Sequence, residues 1–125
     1  MILDTNALSA WADGDTRLQR VVIDARARAL PVIVLGEFRF GILGSRKRQI
    51  YEEWLDAVMT GCEVLLIDGE TAVEYAKIRE ELRVNGQPIP SNDAWISALA
   101  RQYSLPVLSR DTHFDVVPKL RRVTW

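Results

Sequence analysis

Asp4, Glu37, Asp93 and Asp111 are the residues of this 125-residue chain whose types and places offer the most chemistry. Asp4 ends the first apolar run, Glu37 follows the second, and Asp111 follows Leu105-Pro106-Val107-Leu108-Ser109. Asp93 stands at the head of the segment that leads into that last run. Open α/β sheets bind ligands beyond the carboxyl ends of their strands, so acids in these places are expected to meet at one rim. Carboxylates gathered within a few ångströms repel and raise one another's pKa, and a cation is what makes such a gathering tolerable. With a single Cys62 and a lone His113, the expected donor set is all oxygen, which selects Mg²⁺ or Mn²⁺ over Zn²⁺. Two such ions about 4 Å apart can stabilise the attacking and leaving oxygens of a phosphodiester displacement. The chemistry expected is therefore that of a nuclease: an activated water loses its proton near Asp4, Asp93 and Asp111 and attacks phosphorus in line. Glu37 would hold a second metal or its waters, while the Thr5 and Ser109 hydroxyls orient an acid or a water.

Each acid also has a plainer role open to it. Asp4 can begin a capped turn, Glu37 can sit in a first helical turn where the dipole favours any acid, and Asp93 can be a second cap beside Ser91. Asp115, four residues beyond Asp111, can support the site, whereas Asp68 reads as the cap of the helix that follows it. His113 reads as a packing or phosphate-contact residue rather than a base, since no acid is placed to orient it unambiguously.

The elements that must position these groups alternate. Residues 1–4 read as a strand, followed by a helix capped by Thr5 or Asn6 that runs through Trp11 to the Asp13-Gly14-Asp15 turn. Asp15 or Thr16 opens a second helix with Leu18, Val21, Val22 and Ala25 at helical spacing. Pro31-Val32-Ile33-Val34-Leu35 reads as a strand buried on both faces, with Gly36-Glu37-Phe38 starting the next helix. Residues 47–60 form an amphipathic stretch with Ile50, Trp54, Leu55 and Val58 on one stripe, stopped at Gly61. Residues 63–68 read as a third strand, and residues 71–84 as a helix with Tyr75, Ile78 and Leu82 inward. A turn-rich loop at 85–90 precedes a helix capped by Ser91, on which Ile96, Leu99, Ala100 and Tyr103 form the core stripe. Residues 105–109 read as a fourth strand, a short turn or helix carries His113, Phe114 and Asp115, and residues 121–125 can add a last strand. Strands alternating with helices describe βαβ units, hence an α/β fold with a mainly parallel sheet of four to five strands and helices on both faces.

Composition sets outer bounds. The chain is long enough for one domain, 1–125, with a core that needs neither disulfide nor structural metal. At 48% hydrophobic, 26% charged and a net charge of −1, it lacks the excess of cations that a general nucleic-acid coat protein relies on. Arg46-Lys47-Arg48 is a local basic run, which reads first as a solvated surface. The N-terminal apolar stretch is one strand long with no basic segment before it, unlike a signal peptide or membrane anchor. Together with the unpaired Cys62, this points to the cytoplasm.

Four segments in order carry a family resemblance: Leu3-Asp4-Thr5-Asn6, Glu37-Phe38-Arg39-Phe40-Gly41, Asn92-Asp93-Ala94-Trp95-Ile96-Ser97-Ala98, and Ser109-Arg110-Asp111-Thr112-His113-Phe114. They resemble the successive motifs of PIN-domain ribonucleases, specifically VapC-type toxins of bacterial toxin–antitoxin pairs, and the match runs the length of the chain. The resemblance implies a PIN-like three-layer α/β/α sandwich and a Mg²⁺- or Mn²⁺-dependent endoribonuclease. It implies a homodimer held inactive by a VapB-type antitoxin, with Asp4 and Asp93 as metal ligands and Glu37 and Asp111 completing the site. Thr5, Asn6, Ser109 and Asp115 are the supporting positions. An antitoxin would insert an apolar helix and an arginine toward the acids. Trp11, Trp54, Trp95 and the Phe38/Phe40 pair are candidates for a partner groove or dimer surface, with core packing expected for at least half of them. Two rivals stand beside this. A phosphatase of the haloacid-dehalogenase type also starts from an Asp after the first strand, but it expects a second Asp where Asn6 stands. A catalytically silent PIN-like module that binds RNA or protein would have lost at least one of the four acids in the simplest case, and all four are present.

Overall fold

A computed structural model describes residues 1–125. The elements run β1 (Ile2–Leu3), α1 (Thr5–Ala12), α2 (Thr16–Asp24), β2 (Ala29–Pro31), α3 (Val32–Ile42), α4 (Arg48–Met59), β3 (Glu63–Leu65), α5 (Gly69–Val84), α6 (Ser91–Tyr103), β4 (Val107–Leu108), a 3₁₀ turn at Thr112–Val116, and β5 (Arg122–Val123). The five strands order as β3-β2-β1-β4-β5, and every neighbouring pair is parallel. A parallel strand returns to its sheet only by a crossover, so helices must cover both faces. The result is the expected α/β/α sandwich. The chain steps outward from β1 to β2 and β3, then crosses back to place β4 on the other side of β1. That reversal opens a crevice beyond the carboxyl ends of β1 and β4.

The strands are short because only their central residues are needed for pairing: Ile2 pairs with both Ala29 and Val107, and Leu3 with Leu108. All five of these residues are buried, as are Leu8, Leu18, Leu30, Leu55, Leu99 and Phe114 in the same apolar cluster. A second, smaller cluster of Ile78, Leu82, Ile89, Ala94, Ala98 and Val117 joins α5 to α6. No helix is long and apolar enough to cross a membrane.

Several elements differ from the sequence-based expectation. The run 31–35 is not a strand: β2 ends at Pro31, and Val32–Leu35 form the first turn of α3. Glu37 therefore lies in the second turn of α3, and the first turn holds no acid. Pro31 caps α3 without a side-chain bond, a position where its missing N–H costs nothing. The third strand stops at Leu65, leaving Leu66 and Ile67 exposed at 64% and 37%. Asp4, not Thr5 or Asn6, caps α1. Pro90, not Ser91, precedes α6, and the Ser91 hydroxyl instead meets the Tyr75 hydroxyl at 3.2 Å. Ile50 and Tyr103 are exposed rather than in their core stripes. The Asp68 cap forms as expected, closing a capping box with Thr71.

One ion network fixes the helix that carries Asp93. Arg101, its side chain only 10% exposed, reaches from α6 to Glu81 at 2.6 Å and Glu74 at 3.2 Å on α5. The bond from Arg101 holds the Glu81 carboxyl below its usual range. A depressed folded pKa contributes stability that is present above the unfolded value and lost as pH falls through the folded one. Glu81→Gln is accordingly expected to lower the melting temperature at about pH 7 and to match the parent at about pH 3, read by thermal melts across that range. An equal deficit at both ends would mean that packing, not charge, is what the substitution disturbs.

Candidate metal centre

Asp4, 5% exposed, emerges from β1 as the α1 cap, and its carboxylate accepts three hydrogen bonds. The Thr5 backbone N–H donates to Oδ1 at 2.8 Å, while the Ser109 hydroxyl at 2.7 Å and the Asn6 amide at 3.0 Å donate to Oδ2. Ser109 follows β4 directly, so this bond ties the two strand ends that flank the crevice. Asn6 closes the loop by donating to Ser109 Oγ at 3.0 Å and accepting from the Arg110 N–H at 3.2 Å. The supporting roles foreseen for Thr5, Asn6 and Ser109 thus have specific geometry. Burial pushes the Asp4 carboxyl up, with the charges of Asp93 and Glu37 adding to the rise and the Ser109 and Thr5 donors opposing it.

Glu37 reaches the same crevice from α3. Its Oε2 accepts from the Thr5 hydroxyl at 2.8 Å and its Oε1 from the Asn92 amide at 2.7 Å. Thr5 therefore gives its backbone N–H to one acid and its hydroxyl to another, fixing their relative positions from a single residue. Asn92 does the corresponding work from the first turn of α6.

Asp93 and Asp111 form the tightest part of the cluster, with His113 between them. Asp93 lies in the first turn of α6, and Asp111 caps the 3₁₀ turn by accepting from the His113 N–H at 2.9 Å. Phe114, fully buried, anchors that turn in the core. The His113 ring places Nδ1 at 2.9 Å from Asp93 Oδ2 and 3.0 Å from Asp111 Oδ1. One ligand atom from each of the three residues lies within 4.8 Å of the others. Burial, followed by the charges of Asp111 and Glu37, pushes the Asp93 carboxyl up, against the pull of His113. The Asp93 contact in turn raises the His113 ring above its usual range.

The four acids thus come together at the rim, although Asp4 and Glu37 stand outside the group whose atoms lie within 4.8 Å. The structure sets His113 apart from its sequence reading: two acids orient its ring at once, and an imidazole nitrogen faces their carboxylate oxygens. Asp115, read as a supporting position, lies outside the acid group: Arg122 holds it through Nε at 2.8 Å and Nη2 at 2.9 Å, while Arg122 Nη1 donates to the Ser109 carbonyl at 3.1 Å. Asp115 thereby braces the loop carrying Ser109 and Asp111 from outside.

The donor chemistry fits a divalent cation. Carboxylates whose pKa is raised by burial and then by neighbouring acids, as at Asp4 and Asp93, gain from a positive ion set among them, and carboxylate with imidazole is a donor set that divalent first-row ions accept. Beside Glu37 a cleft of about 340 Å³ opens between α1, α3 and α4, lined by Thr5, Ser9, Asp13, Phe38 and Tyr51 among others. Of the aromatic candidates, Phe38 is buried, and Trp11 and Trp54 meet edge to face at 5.5 Å against the core. Trp95 stacks on Tyr75 at 3.8 Å, leaving Phe40, at 78% exposure, as the one that faces solvent freely. The basic run 46–48 is exposed, with Arg48 paired to Glu52.

Comparison with known proteins agrees with this architecture. The family model described as PIN domain matches residues 1–120. The chain is 31% identical to Ribonuclease VapC5 of Mycobacterium tuberculosis over 115 residues, spanning 90% of this chain and 84% of that one. It is 30% identical to Toxin FitB of Neisseria gonorrhoeae over 130 residues, spanning 90% of this chain and 88% of the relative. A crystal structure of VapBC-5 from M. tuberculosis, a member of the VapBC family of toxin-antitoxin systems, superposes with a TM-score of 0.78 at 27% identity, covering 99% of this chain and 97% of that one. Motif order, sheet topology and a match over nearly the whole length converge, and the chain belongs to the PIN-domain family as a VapC-type member.

Proposed function

We propose that this protein is a Mg²⁺- or Mn²⁺-dependent endoribonuclease, the toxin of a VapBC-type pair, built as one domain over residues 1–125. The observation that carries the proposal is the meeting of Asp93, Asp111 and His113 beside Asp4 and Glu37 at the crevice between β1 and β4. Asp93 and Asp111 would hold the cation, with Asp4 and Glu37 completing the acidic surround. A divalent ion there supplies Lewis-acid polarisation of a phosphoryl oxygen and makes water more acidic at neutral pH. Asp4, whose basicity is raised by burial and whose position is fixed by Ser109 and Asn6, accepts the proton of the attacking water. Glu37, fixed by Thr5 and Asn92, orients water on the side facing α3. Neither acid has to move in order to act, which is the positioning advantage a rigid site confers.

The antitoxin completes this reading. The cleft beside Glu37 accepts an apolar helix, and Phe40, Leu43 and Ile50 leave apolar surface free on α3 and α4. A guanidinium from such a partner would pair with the acids and displace the cation. A homodimer acting on RNA in the cytoplasm belongs to the same proposal. Purified protein incubated with a mixed cellular RNA pool is expected to cut it with Mg²⁺ or Mn²⁺ and to stop with chelator. Intact RNA in both metals, with the protein folded, would favour the silent binding module instead.

A further inference from the structure

We propose that His113 is a nitrogen donor to the cation held by Asp93 and Asp111, tuning the site toward a transition ion such as Mn²⁺ over Mg²⁺. The inference rests on the cation-dependent reading above and adds a residue to it. Nδ1 stands at 2.9 Å from one carboxylate oxygen and 3.0 Å from the other, yet a ring nitrogen carries at most one hydrogen and has one in-plane direction for it. One ring hydrogen can serve both oxygens only as a shared, three-centre bond, in which neither contact is well aligned. Three donor atoms facing a common space account for them directly, and the three lie within 4.8 Å of one another. The residue is also held in place from behind, since its backbone N–H donates to Asp111 Oδ1 and its neighbour Phe114 is locked in the core.

The choice of ion follows from donor softness. Mg²⁺ takes oxygen ligands and gives up water reluctantly, whereas imidazole suits the first-row transition ions. Putting a nitrogen among the carboxylates would disfavour Mg²⁺ relative to Mn²⁺, and His113 would donate as the neutral ring with its Nδ1 lone pair free. An opposing possibility makes the opposite prediction. A charged ring lodged between two carboxylates would act as a built-in counter-cation, competing with every divalent ion alike.

The two are separated by calorimetric titration of MnCl₂ and MgCl₂ into the parent, His113→Ala and His113→Asn, with pulsed EPR of bound Mn²⁺ for nitrogen coupling. His113→Ala is expected to lose Mn²⁺ affinity on the order of tenfold or more, to change Mg²⁺ affinity much less, and to lose a ¹⁴N coupling that the parent shows. His113→Asn, which offers an oxygen near the former Nδ1, is expected to keep Mg²⁺ binding and lose the Mn²⁺ preference. Tighter binding of both ions by His113→Ala, or an unchanged ratio between them, overturns the donor role while leaving the cation site standing. Failure of the folded parent to bind either ion overturns the site itself.

Discussion

Asp93→Asn is expected to abolish RNA cleavage while raising the melting temperature of the cation-free protein. The activity loss should reach ~10³-fold or more, about 4 kcal/mol of transition-state stabilisation, since Asp93 belongs to the group best placed to hold the ion. The stability gain follows from the sign of its pKa shift. Burial first, then Asp111 and Glu37, raise the folded value above the unfolded one. Such a group contributes stability that is fully present below the unfolded pKa and is lost as pH rises through the folded pKa. At neutral pH the ionised carboxylate therefore opposes folding, and Asn removes the charge while its carbonyl still accepts from His113. Mg²⁺ or Mn²⁺ should raise the parent's melting temperature, since an ion that binds only the folded state stabilises it, and should leave the variant's unmoved. A variant that melts lower than the parent without metal would show that Asp93 holds the fold together instead.

Asp4→Ala is expected to abolish cleavage as well, but with the opposite effect on stability. Asp4 is the α1 cap and takes three donors, from Thr5, Asn6 and Ser109, in a nearly buried position. Alanine strands those donors and removes the cap, at a cost of roughly 2–4 kcal/mol. For a chain of this length that is a fall of about 10 °C or more in melting temperature. Asp4→Asn keeps the shape and one acceptor, and the Ser109 hydroxyl can turn to accept from the new amide, so its stability should stay much nearer the parent. The same loss of activity would thus accompany destabilisation at one acid and stabilisation at another. Calorimetric melts beside the cleavage assay check the pair; equal and opposite outcomes to those stated would exchange the roles given to Asp4 and Asp93.

The order of elements and the four acids are legible in the sequence because both depend on local pattern: apolar runs alternating with helical spacing, Asp4, Glu37 and Asp111 placed after those runs, and Asp93 at the head of a helix. The misassigned stretch was Val32–Leu35. An apolar run of that length is equally consistent with a strand buried on both faces and a helix buried on one, and the register of β2 against β1 and β3 decides between them. Moving those residues into α3 carried Glu37 one turn deeper without removing it from the crevice, because Thr5 and Asn92 still meet it there. Strand lengths were overestimated at 63–68 for a related reason, since Leu66 and Ile67 are apolar but exposed.

The contacts that make the site rigid were only partly legible. The Thr5 and Ser109 hydroxyls could be singled out because each sits beside a strand-end acid. The His113–Asp93 contact could not, because Asp93 lies 20 residues away and only the docking of α6 against the 3₁₀ turn brings them together. The Arg122–Asp115 brace is similarly a product of the last strand pairing with β4. Its only signal in sequence is an acid seven residues before an arginine, which has no special meaning until the strand is placed.

The most direct measurement is the anomalous scattering of Mn²⁺ in crystals of the parent protein. The expected result is a peak bounded by Asp93, Asp111 and His113, with Asp4 and Glu37 facing it across the crevice between β1 and β4, and absent from crystals of Asp93→Asn. A fully occupied peak elsewhere on the molecule, or none at millimolar Mn²⁺ with this crevice open, would contradict a cation site assembled from Asp4, Glu37, Asp93 and Asp111.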